Sequence, residues 1–144
     1  LTKGRLQLRT AAGLQFIDDS YNANPDSMRA ALETAAGFAC SGRRIAVLGR
    51  MGELGAHAER EHLALGAAVL QCGMNLLCTV GGTDAALIAR GCLESGAASE
   101  TVHIFPDHAA CAGFLRQWAA PGDLILLKGS RSSAMERVIE FLSA

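Results

Sequence analysis

Apolar positions along the chain follow two periods in turn. Short runs of consecutive apolar residues mark strands, and apolar residues three and four apart mark helices. Residues 5–10 and 14–19 read as strands joined by a hairpin-like turn at Gly13. A helix is predicted from Pro25, with Asn24 as its N-cap, Met28, Leu32, Ala35 and Ala39 on one face, and Ser41-Gly42 as its end. Residues 44–49 form a short buried strand. The helix after it aligns Leu63, Ala67 and Leu70 and stops at Gly73. Residues 75–80 predict a strand, followed by a helix capped by Thr83 or Asp84 that carries Leu87, Ile88, Gly91 and Cys92. Residues 102–105 predict another strand, and Asp107 caps a helix with Cys111, Phe114, Leu115 and Trp118 on one stripe. Pro121-Gly122-Asp123 turns into the apolar run at residues 124–127. The last helix holds Met135, Val138, Ile139 and Leu142, with Ser133 and Glu136 at capping-box spacing.

Continuously apolar strands between amphipathic helices imply a parallel sheet covered on both faces. The pattern therefore predicts one α/β domain over residues 1–144: doubly wound and Rossmann-like, a mostly parallel sheet of about six strands with helices on both faces. Ligands of such sheets bind beyond the C-terminal ends of the strands. That points to residues 18–25, 49–55, 81–84 and 128–133 as the segments that carry chemistry.

Composition narrows the classes. Half the residues are apolar and 19% are charged, which suits a cored globular domain rather than a disordered one. A net charge of −1 without basic clusters argues against nucleic acid and against an anionic membrane surface. No apolar run approaches the roughly 20 residues of a membrane span, and the start lacks the pattern of a signal peptide. The five cysteines are odd in number and lack zinc spacing, so they are expected to be reduced thiols of a cytoplasmic protein. Leu1 is not an initiator Met and a strand follows almost at once, which reads as a piece of a longer chain.

The loops after the strands differ in what they offer. Residues 18–27 are dense in hydrogen-bonding groups. Their carboxylates can grip ribose hydroxyls and their Asn and Tyr side chains a base or phosphate, or the stretch is a solvated turn with an N-cap. Lys128-Gly129-Ser130-Arg131 follows a strand and is predicted to open the last helix, where backbone N–H groups attract an anion and Arg131 can take a carboxylate. The plainer reading is an ordinary cap with a surface Lys and Arg. The glycines at 49, 52 and 55 are spaced GxxGxxG, which is not a dinucleotide loop, and no GxxxxGK[ST] phosphate loop occurs. His57 and His62 are five apart, off the spacing of two metal ligands on a helix; His62 either donates to a substrate at the strand ends or serves the fold. His103 and His108 read as surface or packing residues. Residue chemistry alone ends at an α/β domain that binds something polar and anionic.

Three segments, in order and spaced across nearly the whole chain, go further. Residues 18–28 resemble the DDSYNANPxSM stretch of the C-terminal domain of the Mur ligases, in the branch that adds D-Ala-D-Ala. Residues 48–55 resemble its LGDMxELG stretch, with His62 and Gly66 placed as in the family. Residues 128–132 resemble its KGSRS stretch, followed by Met135-Glu136, and Gly4-Arg5-Leu6 resembles the segment that leads in. The resemblance implies an ATP-dependent ligase of bacterial cytoplasm. ATP phosphorylates the carboxylate of UDP-MurNAc-tripeptide, the amine of D-Ala-D-Ala attacks the acyl phosphate, and Mg2+ aids phosphoryl transfer. It implies a domain that closes over a central ATPase domain. That domain holds the phosphate loop and magnesium ligands; it and the UDP-sugar domain lie outside these residues, so no catalytic residue is expected here. By position, Arg5 approaches the ATP phosphates and Asp19 the ribose, with Tyr21, Asn22 and Asn24 beside the nucleotide. Lys128, Ser130, Arg131 and His62 take the substrate side. One departure stands out: Arg50 occupies the place of the family's Asp and reverses the charge there.

Three other readings compete. A signalling receiver needs an acceptor Asp where Gly49-Arg50 stands. Ligases for diaminopimelate or folate-linked glutamate carry a DYAHxP-like stretch where Tyr21-Asn22-Ala23-Asn24-Pro25 stands. A non-enzymatic α/β binding module remains open on sequence alone.

Overall fold

The computed structural model describes residues 6–144. Six strands form one sheet: β1 (Gln7–Ala11), β2 (Leu14–Asp19), β3 (Arg44–Leu48), β4 (Leu76–Val80), β5 (Val102–Phe105) and β6 (Leu124–Lys128). Their spatial order is β1-β2-β6-β3-β4-β5. All neighbours pair parallel except β1 with β2 at one edge. That antiparallel pair is a tight hairpin turning at Ala12 (φ 52°) and Gly13 (φ 77°), two successive left-handed residues whose twist matches the strands. The mostly parallel α/β architecture expected from the pattern is thus the one observed.

Strand side chains alternate between two apolar layers. Leu124 and Leu126 of β6 join the layer with α1 (Pro25–Gly37), α2 (Ala58–Gln71) and α3 (Thr83–Glu94). Ile125 and Leu127 join the layer with α4 (His108–Trp118) and α5 (Arg137–Ser143). No helix among the described residues is long and apolar enough to cross a membrane. All five cysteines are free thiols. Cys78 and Cys111 meet in the second layer, where their mutual hydrogen bond, followed by burial, pushes the Cys78 thiol well above its ordinary pKa.

Several element details depart from the periodicity. Helix α1 ends at Gly37 and leaves Ala39 exposed, because Phe38 turns to extended backbone and the Arg44 guanidinium takes the carbonyls of Ala35 (2.9 Å) and Phe38 (2.6 Å). Helix α2 buries His62, Leu65, Gly66 and Val69 rather than Leu63, Ala67 and Leu70. The reason is close packing: a Cβ on Gly66 would overlap the Ile88 carbonyl, and one on Gly91 the Leu63 carbonyl, so α2 and α3 cross backbone to backbone on that face. Thr83 and Asp84 lie inside α3, whose N-cap is Gly82. The last helix starts only at Arg137. Ser133 caps nothing, because residues 131–133 form a 3-10 turn and Ala134 is left-handed at φ 46°.

The turn before β6 is fixed by Asp123. Burial opposes its ionisation, but N–H groups of Arg43 (2.7 Å) and Ala120 (2.9 Å) and the Arg43 guanidinium (3.0 Å) outweigh it and hold the carboxyl below the usual aspartate range. A lowered folded pKa contributes stability that is complete above the ordinary carboxylate pKa and is lost as pH falls through the folded value. Asp123→Asn is accordingly expected to flatten the acid limb of a stability-against-pH curve; an unchanged limb would remove Asp123 as its source. Gly91→Ala is expected to cost about 3 kcal/mol or more in urea unfolding, since the clash is with backbone that cannot move aside cheaply. Wild-type stability in that variant would mean the helices do not cross so closely.

Candidate functional site

The parallel strands β2, β3 and β6 end at one level. Asp19 pairs in register with Lys128, and Leu48 with Lys128 from the other side. The loops that follow therefore converge. Gly49 donates its N–H to the Lys128 carbonyl (2.9 Å), and Ser130 donates to the Arg50 carbonyl (2.8 Å). The crossing is close: a Cβ on Gly129 would stand 3.0 Å from the Gly49 Cα. Between the loops lies a cleft of about 690 Å³, with Tyr21, Asn22 and Asn24 on one wall and Ser130, Arg131 and Ser132 on another. Arg50, Gly52, Glu53 and Leu54 form the third wall. A shallower cavity of about 370 Å³ adjoins Asp19, Tyr21, Asn22, Asn24 and Lys128.

The first wall is set by two carboxylates with different tasks. Asp18 is fully buried, accepts from the Ser20 hydroxyl (2.5 Å) and pairs with Arg9 of β1 (2.8 Å). Asp19 turns to the opposite face and accepts from the Lys128 ammonium at 2.9 Å; the same ammonium donates to the Asn22 carbonyl at 2.9 Å. Lys128 is 3% exposed, so it is an internal clamp on the loop and not a surface cation. Asn24 caps α1, accepting from the Ser27 N–H (2.9 Å) while Ser27 Oγ accepts the Asn24 N–H (3.1 Å). Pro25 at the first helical position and Asp26 in the first turn complete that start.

On the second wall Arg131 pairs with Glu136 and donates to the Ser20 carbonyl (3.4 Å), tying the last loop to the first. Ser130 Oγ lies 2.9 Å from Ser133 Oγ. The expected free N–H groups at the start of a helix are not found at residue 130, because its N–H is bound to Arg50 and the helix begins later. On the third wall, His62 lies behind the cleft rather than on it. It is fully buried: its Nε2 accepts from the Met51 N–H (2.9 Å) and its Nδ1 donates to the Ala58 carbonyl (2.6 Å). Both ring nitrogens are used, so His62 positions the loop and has no donor left for a substrate. Arg5 lies outside the described residues.

Of the residues picked from sequence, Asp19, Tyr21, Asn22, Asn24, Lys128, Ser130 and Arg131 come together around this cleft region. Sequence reasoning passed over Glu53, which lines the cleft in a left-handed conformation (φ 60°), and the tie between Arg50 and Asp84. Glycines on either side of Glu53 signalled a sharp loop there, but nothing in the sequence indicated which side chain it would turn inward.

The family model described as Mur ligase, glutamate ligase domain matches residues 4–131. The chain belongs to the Mur ligase family. Among relatives of this Mur ligase domain is the UDP-N-acetylmuramoyl-tripeptide--D-alanyl-D-alanine ligase of Mycobacterium leprae, 36% identical over 99% of the chain and 30% of that protein. Among solved structures, the MurF ligase of Thermotoga maritima in complex with ADP superposes with a TM-score of 0.83 at 27% identity, covering 99% of the chain and 31% of that structure. MurF from Acinetobacter baumannii also gives 0.83, at 34% identity over 99% of the chain and 31% of that structure. The Mur ligase domain thus spans about a third of the length of the relatives it matches.

Removing one partner of a buried ion pair leaves the other charge uncompensated. Lys128→Met is therefore expected to destabilise the chain by about 3 kcal/mol in urea unfolding. A loss below about 0.5 kcal/mol, the scale of a solvated pair, would show that Lys128 does not clamp the loop.

Proposed function

We propose that this chain is the C-terminal domain of an ATP-dependent ligase that joins D-Ala-D-Ala to UDP-MurNAc-tripeptide through an acyl phosphate in peptidoglycan precursor synthesis. The observation that carries the reading is the convergence of residues 19–24 and 128–132 on one cleft at the C-terminal ends of β2 and β6. Those segments carry the resemblance, and the relatives matched over the chain bear the name of that ligase.

Within this reading the residues divide by wall. Asp19, held by Lys128 through one carboxylate oxygen, presents the other to the ribose of ATP, with Tyr21, Asn22 and Asn24 beside the nucleotide. Arg5 reaches the phosphates. Ser130 and Arg131 face the dipeptide; Lys128 serves that side indirectly by fixing the loop, and His62 by fixing residue 51. Magnesium is a poor fit to this domain's own donors: Asp18 and Asp19 are already paired with Arg9 and Lys128, and no group of three candidate ligands occurs among the described residues. We place its ligands, like the phosphate loop, in a central ATPase domain against which this one closes, in a cytoplasmic enzyme. A ligase needs both halves, because phosphoryl transfer rests on positioning and charge stabilisation.

Residues 1–144 alone are expected to form no product from ATP, UDP-MurNAc-tripeptide and D-Ala-D-Ala, whereas the full-length protein ligates them. Turnover by the isolated domain, or none by the intact protein, contradicts the reading. In the intact protein Asp19→Asn is expected to raise the KM for ATP by about tenfold or more, the loss of a charge-assisted hydrogen bond. An unmoved ATP KM in a variant of normal melting temperature would take Asp19 out of the nucleotide site.

A further inference from the structure

Arg50 puts a guanidinium two residues beyond the end of β3, and the structure shows where that charge goes. Its backbone carbonyl is fixed by the Ser130 N–H at 2.8 Å. A Cβ built on Gly52 would lie 3.7 Å from the Arg50 Nη1 and 3.8 Å from the Ser130 Cβ, so the two side chains flank the same glycine. Arg50 lines both the large cleft and a neighbouring cavity of about 270 Å³.

Its acidic partner is Asp84, in the first turn of α3. The Arg50 Nε and the Asp84 Oδ2 are 3.6 Å apart, beyond hydrogen-bond length, and the two side chains are 43% and 30% exposed. A pair that loose and that solvated exchanges readily for a better anion. Arg131, on the facing wall, is as exposed but is hydrogen-bonded to two partners, Glu136 and the Ser20 carbonyl. Arg50 is thus the more available of the two cations, and a guanidinium matches a carboxylate two bonds at a time.

We propose that Arg50 is a specificity residue that takes the C-terminal carboxylate of the incoming dipeptide, displacing Asp84 as its counter-ion. The inference rests on the proposed function, since it names the group that the dipeptide side of that cleft reads. It also assigns Asp84 a role: as the counter-ion of Arg50 it competes with the substrate carboxylate.

The test compares D-Ala-D-Ala with D-Ala-D-alaninamide, which keeps the attacking amine and removes the negative charge. Both are assayed with the full-length ligase as wild type, Arg50→Gln, Arg50→Lys and Asp84→Asn. The wild type is expected to favour the free carboxylate by about tenfold or more in kcat/KM, the scale of a charge-assisted hydrogen bond. Arg50→Gln should lose most of that preference through the KM for D-Ala-D-Ala, with the ATP KM unmoved, and Arg50→Lys should keep part of it. Asp84→Asn should lower the KM for D-Ala-D-Ala and leave that for the amide unchanged, a gain that a merely structural role cannot produce. Full preference retained in an active Arg50→Gln enzyme overturns the inference while leaving the proposed function standing, and so does an unmoved dipeptide KM in Asp84→Asn. No ligation of D-Ala-D-Ala by the wild type overturns both.

Discussion

Strand β6 runs between β2 and β3, and at its end a buried ammonium binds the neighbouring strand and the loop beyond it. Lys128 reaches Asp19 and the Asn22 carbonyl on one side, while its own carbonyl takes the Gly49 N–H on the other. An ammonium so little exposed is tolerable only because acceptors surround it. Satisfying it draws residues 19–22 against the end of β6 and sets one side of the cleft. The parallel register then brings residue 49 to the same level, so three loops separated by long stretches of sequence share one opening.

Four ion pairs stand at or behind the cleft. Asp18 has Arg9, Asp19 has Lys128, Arg131 has Glu136, and Arg50 has Asp84. These pairs differ in strength, and the difference organises the site. The buried ones hold backbone: Asp18 fixes Ser20, and Lys128 fixes Asn22. The longest one, Arg50 with Asp84 at 3.6 Å, is free to exchange. Behind them His62 binds the Met51 N–H from α2, so the loop after β3 is braced by a helix rather than left to its glycines. A binding wall of this kind costs little reorganisation when a ligand arrives.

The fold was legible in the sequence because strands buried on both faces read as unbroken apolar runs, and residues 45–48, 76–78 and 124–127 are such runs. Asn24 and Asp107 were legible as caps for a local reason, a side chain bonding its own helix three residues on. Long-range packing hid the rest. The buried face of α2 follows from the backbone contact of Gly66 and Gly91, which apolar periodicity does not register. Ser133 and Glu136 have the spacing of a capping box, but Glu136 is taken by Arg131 and Ala134 turns left-handed, so the helix starts late. His62 stood out as a polar residue near the strand ends; only the fold shows that both its nitrogens are spent on backbone.

The central claim is that nucleotide and incoming amine meet in the cleft between residues 19–24 and 128–132. A crystal structure of the full-length protein with a non-hydrolysable ATP analogue and D-Ala-D-Ala tests it most directly. The account predicts the ribose within hydrogen-bond distance of Asp19 and the dipeptide against Ser130 and Arg131. Finding both ligands bound while this cleft faces solvent, with neither touching these two segments, would contradict it.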